Sequence, residues 1–240
     1  MKALAAIGAI LILAGCGGGA EIGEGELIVY AASSLTDVFM DLDAKAVFNF
    51  AGSDELATQL REGARADVYA AASPRYPAEL YGDRILEQPV IFATNRLVLI
   101  VPKDDRARIR SLAGLEKKGV KLVVGAEGVP VGDYTREVLA KAGKTPILDR
   151  VVSEEEDVKG VLSKVALGEA DAGFVYATDA KAAGDDVRAI ELPEEIQVPI
   201  RYPVAIVAAT NREEQGLEFV DLLLSDKGRK VLQDAGFGRP

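Results

Sequence analysis

The chain has no histidine and no tryptophan among its 240 residues. Without histidine, Ser-His-Asp and Cys-His nucleophilic sites and His-based metal sites are excluded. Cysteine occurs once, at Cys16, which leaves no disulfide framework and no cysteine-based metal or redox centre. A Gly-x-Ser-x-Gly nucleophile elbow is missing, as is a complete Gly-x-x-x-x-Gly-Lys-Ser/Thr phosphate loop. Positive charge is in deficit: 28 Lys and Arg stand against 38 Asp and Glu, for a net charge of −10. That balance disfavours nucleic acid, which calls for a basic face, and polybasic attachment to lipid headgroups. It is compatible with a small anion, because nearby dipoles set the potential inside a cleft more than distant surface carboxylates do. Chemistry built on carboxylates alone stays conceivable, but most of them fall on solvent faces of helical patterns. No cofactor is called for.

What is present starts with a targeting pattern. Lys2 is followed by an uncharged apolar run, Ala3 to Ala14, too short to span a membrane. It ends Leu13-Ala14-Gly15-Cys16, which resembles a bacterial lipobox, the signal in which the cysteine becomes the lipid-modified first residue of the mature protein. Residues 1–16 are therefore expected to be a lipoprotein signal and residues 17–25, rich in glycine, a flexible leash. Acylation of Cys16 would tether an extracytoplasmic domain to a membrane surface.

The remainder is 49% hydrophobic and 28% charged over the whole chain, a balance that buries a core. Apolar runs rich in β-formers alternate with helical patterns. Leu27-Ile-Val-Tyr-Ala-Ala, Ala66-Asp-Val-Tyr-Ala-Ala, Lys121-Leu-Val-Val-Gly and Ala172-Gly-Phe-Val-Tyr read as strands. Helices are expected at Ser53–Gly63, from about Val131 to Ala142, at Asp157–Leu167 and over residues 213–235 with a break at 226–228. Such alternation predicts α/β architecture with mostly parallel sheets covered on both faces. Ligands in these folds sit beyond the carboxyl ends of strands, where helices begin.

Five segments lie at those places: Ala31-Ala-Ser-Ser-Leu-Thr-Asp-Val, Phe50-Ala-Gly-Ser-Asp-Glu-Leu-Ala, Val129-Pro-Val-Gly-Asp-Tyr, Glu155-Glu-Asp-Val-Lys-Gly and Gly173-Phe-Val-Tyr-Ala-Thr-Asp. Four put small, hydroxyl-bearing or Gly/Pro residues at helix starts, and the fifth ends a strand with Tyr176. Helix N-termini offer free N–H groups and a partial positive charge, so several converging on one point hold an anion without Lys or Arg. Each residue also has a structural role open to it. Ser34 and Ser53 suit helix caps, Tyr176 suits a core aromatic, and Asp157 suits the cap of its helix.

Together these motifs, with Ala66-Asp-Val and the C-terminal Gly236-Phe, resemble the molybdate-binding proteins of bacterial ABC molybdate importers, from about Leu27 to Phe237. The resemblance implies a two-lobed type II periplasmic-binding fold with the anion between the lobes. Lobe 1 would comprise residues 26–93 and 205–240, and lobe 2 residues 94–204. Carried over, the oxyanion contacts fall on the hydroxyls and backbone N–H groups of Ser34 and Ser53, the backbone N–H groups of Val131 and Val158, and the phenol of Tyr176. The implied role is a monomeric, lipid-anchored receptor for molybdate or tungstate that delivers it to permease subunits and catalyses nothing. One departure stands out. Ser34 and Ser53 are only 19 positions apart, so about two helical turns of the family pattern are missing near Leu42–Ala46, which puts the cover of the lobe-1 sheet in question. Rival readings are a receptor for another oxyanion such as sulfate, a carboxylate-dependent enzyme, or a surface scaffold without a ligand. A ferric-ion receptor would want paired tyrosines and a His or carboxylate, and the missing His argues against it.

Overall fold

The computed structural model describes residues 26–43 and 45–240. The signal, the leash and Cys16 lie outside the described residues.

The first lobe is entered through β1 (Ile28–Ala32), every residue of which is buried. A 3-10 turn, Ser33–Leu35, leads into α1 (Thr36–Leu42); β2 (Val47–Ala51), α2 (Ser53–Arg61), β3 (Val68–Ala70), α3 (Arg75–Gly82) and β4 (Val90–Asn95) follow. After Arg96 alone, β5 (Leu97–Pro102) opens the second lobe. It continues through β6 (Leu122–Gly125), α4 (Pro130–Lys141), β7 (Val151–Glu155), α5 (Val158–Ala166), β8 (Ala172–Tyr176), α6 (Ala177–Ala182) and β9 (Val187–Glu191). The chain returns to lobe 1 as β10 (Ile200–Ile206), covered by α7 (Glu213–Leu224) and α8 (Asp226–Ala235).

Each lobe is built on one five-stranded sheet, in the orders β2-β1-β3-β10-β4 and β7-β6-β8-β5-β9. In each sheet a single strand runs against the other four, β10 in lobe 1 and β5 in lobe 2. These two reversed strands are also the ones by which the chain enters each sheet from the other lobe. The sheets are therefore mixed, with most strands aligned. The crossings lie slightly outside the expected boundaries of 93/94 and 204/205, because β4 runs on to Asn95, paired with Ile200, and all of β10 belongs to the lobe-1 sheet.

The shortened stretch after Ser34 yields a seven-residue α1 that ends at Asp43. The helix still seats Phe39, fully buried, against Phe48, Phe92 and Phe219 at ring-centroid distances of 6.0, 6.0 and 5.4 Å. Burial of a side chain this size contributes roughly 1.5–3 kcal/mol. β2, the edge strand of its sheet, is half-buried along its whole length, and Met40 on α1 is 57% exposed.

Local chemistry explains the helix starts of the second lobe. Pro130 takes the first position of α4, where it needs no N–H partner. Gly132 lets α4 close on its own strand: a Cβ there would lie 2.1 Å from the Ala126 carbonyl oxygen. Asp157 caps α5, its carboxylate accepting from the Gly160 N–H at 2.8 Å.

Candidate functional site

Between the lobes lies a small cleft. Ser34, Ser53, Val131, Val158 and Tyr176 all line it, each at most 6% exposed. They come from both lobes, at the carboxyl ends of β1, β2, β6, β7 and β8. Among the described residues no Lys or Arg lines the cleft, and Asp157 is the one carboxylate that does.

Backbone donors converge there because three helices start there. In α2 the first intrahelical bond is made by the Leu56 N–H to Gly52, which leaves the N–H of Ser53 without a partner in its helix. In α4 the first is Asp133 to Val129, which leaves the N–H of Val131. In α5 the Val161 and Gly160 N–H groups are taken by Asp157, through its carbonyl and its carboxylate, and that of Val158 is left.

The hydroxyls are organised differently from helix caps. Ser53 occupies the first turn of α2, behind Gly52, and its Oγ accepts from the Ala72 N–H at 3.1 Å. That bond does not use the hydroxyl proton, which stays available to the cleft. Ser34 sits in the 3-10 turn, with Oγ 3.0 Å from the phenol oxygen of Tyr202 on β10. Neither serine caps a helix through its side chain. Tyr176 is 1% exposed and its hydroxyl has no hydrogen-bond partner within the described structure. An unpartnered buried hydroxyl costs free energy, so its persistence points to a partner that arrives from the cleft. Burial pushes the phenols of Tyr176 and Tyr202 well above the ordinary tyrosine pKa, so both are neutral donors at physiological pH.

Contacts across the cleft join the lobes. The Tyr76 hydroxyl donates to the Gly128 carbonyl at 2.5 Å, and Arg75 pairs with Asp133 at 3.4 Å. Lys159, on α5, reaches Asp37 on α1 at 3.1 Å. Gly52 faces the Glu156 carbonyl so closely that a Cβ would lie 2.6 Å from it. Behind Lys159 lies the fully buried Asp179, at 3.4 Å. Burial raises the Asp179 carboxyl to about 6, against the opposing pull of Lys159. Burial works against the Lys159 ammonium, but Asp179 and then Asp37 hold its pKa above the usual lysine value. Among the described residues no group of three or more Cys, Asp and Glu forms a cation site.

Sequence reasoning missed Tyr202, Asn95 and Lys159. Tyr202 is 168 positions from Ser34, and its neighbours Arg201 and Pro203 carry no motif. Thr178 and Asp179 belonged to a recognised segment, yet that motif said nothing of their partners.

The family model for bacterial extracellular solute-binding proteins matches residues 27–238. The chain belongs to that family. Among curated solute-binding relatives, a Mycobacterium tuberculosis protein named molybdate-binding protein ModA is 35% identical over 228 residues, 91% of this chain and 86% of the relative. A Bacillus subtilis protein named putative ABC transporter substrate-binding lipoprotein YvgL is 30% identical over 250 residues, 98% of this chain and 96% of its own. The solved periplasmic molybdate-binding protein of Azotobacter vinelandii superposes with a TM-score of 0.79 at 22% identity, over 90% of this chain and all of that one, which shows the shared solute-binding fold. The relatives found are of the kind the motifs resemble.

Proposed function

We propose that this solute-binding protein captures molybdate or tungstate outside the cytoplasm and hands it to an ABC permease. The observation that carries the reading is the unpartnered Tyr176 hydroxyl, buried in a cation-free cleft beside the free N–H groups of three helix starts. The names of the relatives support the same ligand.

The chemistry is that of neutral donors around a deprotonated tetrahedral dianion. The cleft is small and lined by short side chains and backbone, which suits one small ion and not a drug-sized ligand. Each hydrogen bond to a charged acceptor is worth about 1.5–3 kcal/mol. Several of them, less the cost of association, reach sub-micromolar affinity at about −8 kcal/mol or better. Phosphate near neutral pH keeps a proton and needs an acceptor; N–H groups cannot supply one, and the one carboxylate in the cleft lining, Asp157, is engaged through Oδ1 by the Gly160 N–H of its own helix. Sulfate is deprotonated but smaller, so a cleft fitted to a larger oxyanion leaves its oxygens short of the donors. Closure of the lobes seals the anion from water and creates a surface made of both lobes for the permease to read.

The protein acts as a monomeric carrier and not a catalyst, with no cofactor beyond the anion it carries. Its anchor is a lipid on Cys16, a reading supported by the lipobox pattern and by the lipoprotein named among its relatives. Titration calorimetry with molybdate, tungstate, sulfate and phosphate tests the assignment. Tight binding of the first two alone is expected. Equal binding of sulfate would sink the molybdate reading, and silence with all four would sink the receptor.

A further inference from the structure

The direction of every hydrogen bond leading to Ser34 can be assigned from groups that have only one choice. The Arg96 N–H donates to Asn95 Oδ1 at 2.9 Å, which fixes that oxygen as the acceptor and Nδ2 as the donor of the amide. Asn95 Nδ2 then donates to Thr178 Oγ1 at 3.0 Å and to the phenol oxygen of Tyr202 at 3.5 Å. With its oxygen accepting from Asn95, Tyr202 spends its own proton on Ser34 Oγ, 3.0 Å away. Ser34 accepts from Tyr202 and is left with its proton facing the cleft. Ser53 reaches the same state by one step, since the Ala72 N–H can only donate to it.

We infer that Tyr202, oriented by Asn95, is a positioning residue that makes Ser34 an obligate donor and so selects fully deprotonated tetrahedral anions against protonated ones of similar shape. The inference rests on the oxyanion reading above and gives its selectivity a physical origin. A free serine hydroxyl rotates to donate or accept, and would tolerate the P–OH of monohydrogen phosphate. One locked as a donor meets that proton with its own. The relay starts in the crossover between β4 and β5, where Asn95 and Arg96 pass the chain from one lobe to the other. The donor direction of Ser34 is therefore tied to the geometry of the hinge. Tyr202 is fully buried between Phe237 and Tyr176, with centroids at 5.3 and 5.8 Å, so its ring stays in place without its hydroxyl.

The test measures molybdate by calorimetry, and monohydrogen phosphate and arsenate by competition with it at pH 8, on the wild-type protein and Tyr202→Phe. Tyr202→Phe leaves Ser34 free to donate to molybdate but no longer obliged to, so molybdate is expected to weaken by only a few-fold. Phosphate and arsenate, which gain an acceptor, are expected to bind more tightly, so that the ratio of molybdate to phosphate affinity falls about tenfold. In a Ser34→Ala background, Tyr202→Phe is expected to change molybdate affinity less than about twofold. Parallel losses for all anions would mean that Tyr202 is merely structural and would overturn the inference, as would an unchanged ratio. A wild-type protein that binds none of these anions would instead overturn the oxyanion reading itself, and the inference with it. Should Tyr202→Phe fold poorly, Asn95→Asp serves as the second variant. It keeps the shape but turns the Nδ2 donor into an acceptor, draws the Tyr202 proton away from Ser34, and must shift the same ratio.

Discussion

Lys159, on α5 of lobe 2, stands 3.1 Å from Asp37, on α1 of lobe 1, and so ties the two lobes beside the cleft. Its side chain is 30% exposed and that of Asp37 is 65% exposed. A pair as open as this contributes at most about 1 kcal/mol. Asp37→Asn is accordingly expected to lower anion affinity by less than about fivefold, with a larger effect at low salt than at 0.5 M. Calorimetry at two salt concentrations checks this, and a loss of a hundredfold would mean that the pair does more than hold the lobes together.

Asp179 makes stability depend on pH in an unusual direction for a carboxylate. Its folded-state value of about 6 lies above the ordinary 3.8. Between those values the native protein holds a proton that the unfolded chain has released. This group therefore adds stability as pH falls from about 6 toward 4, and the contribution is absent above about 6. Asp179→Asn should remove that component. The Tm of the variant relative to wild type should become more favourable as pH rises from 4.5 to 7.5, whereas parallel melting curves would rule the assignment out. Lys159→Met tests the other partner: it strands Asp179 and is expected to cost about 1–3 kcal/mol at pH 8, and less at pH 5 where Asp179 is neutral.

Tyr176→Phe should separate binding from folding. The hydroxyl it removes has no hydrogen-bond partner among the described residues. Melting temperature without ligand is expected to hold or rise, while molybdate affinity falls about tenfold or more. A drop in Tm of several degrees with affinity intact would place the phenol in the core and not in the site.

Gly52 provides a test of lobe closure. Its φ of −58° and ψ of 139° suit any residue, so alanine brings no backbone strain. Its Cβ would nevertheless lie 2.6 Å from the Glu156 carbonyl across the cleft. Because that contact is already made in this structure, Gly52→Ala is expected to push the lobes apart whether or not anion is added, lowering the melting temperature modestly and weakening molybdate at least about tenfold. Small-angle scattering with saturating molybdate should show less compaction than in wild type.

Phe39 measures what the shortened α1 still does. Truncation of a fully buried aromatic costs about 3–5 kcal/mol. Phe39→Ala is expected to lower Tm sharply, as read by calorimetry. A small change would mean that lobe 1 holds together without this helix.

The α/β alternation, the helix starts at Ser53, Pro130 and Val158, and the strand that ends at Tyr176 were all legible in the chain, because each depends on local spacing, on the residues flanking it or on a resemblance carried by short motifs. The absence of histidine narrowed the chemistry before any fold was known. The protein partners of the Ser34 and Ser53 hydroxyls were not legible. Both suit helix caps by sequence, yet Ser34 faces Tyr202, 168 positions away, and Ser53 faces Ala72, on the loop after β3. The same holds for Lys159, whose two carboxylates come from α1 and from the start of α6. Local patterns name the donors, but a hydroxyl points where its neighbours leave its proton free. Those neighbours are brought together only when the chain crosses from one sheet to the other at Asn95 and returns along β10.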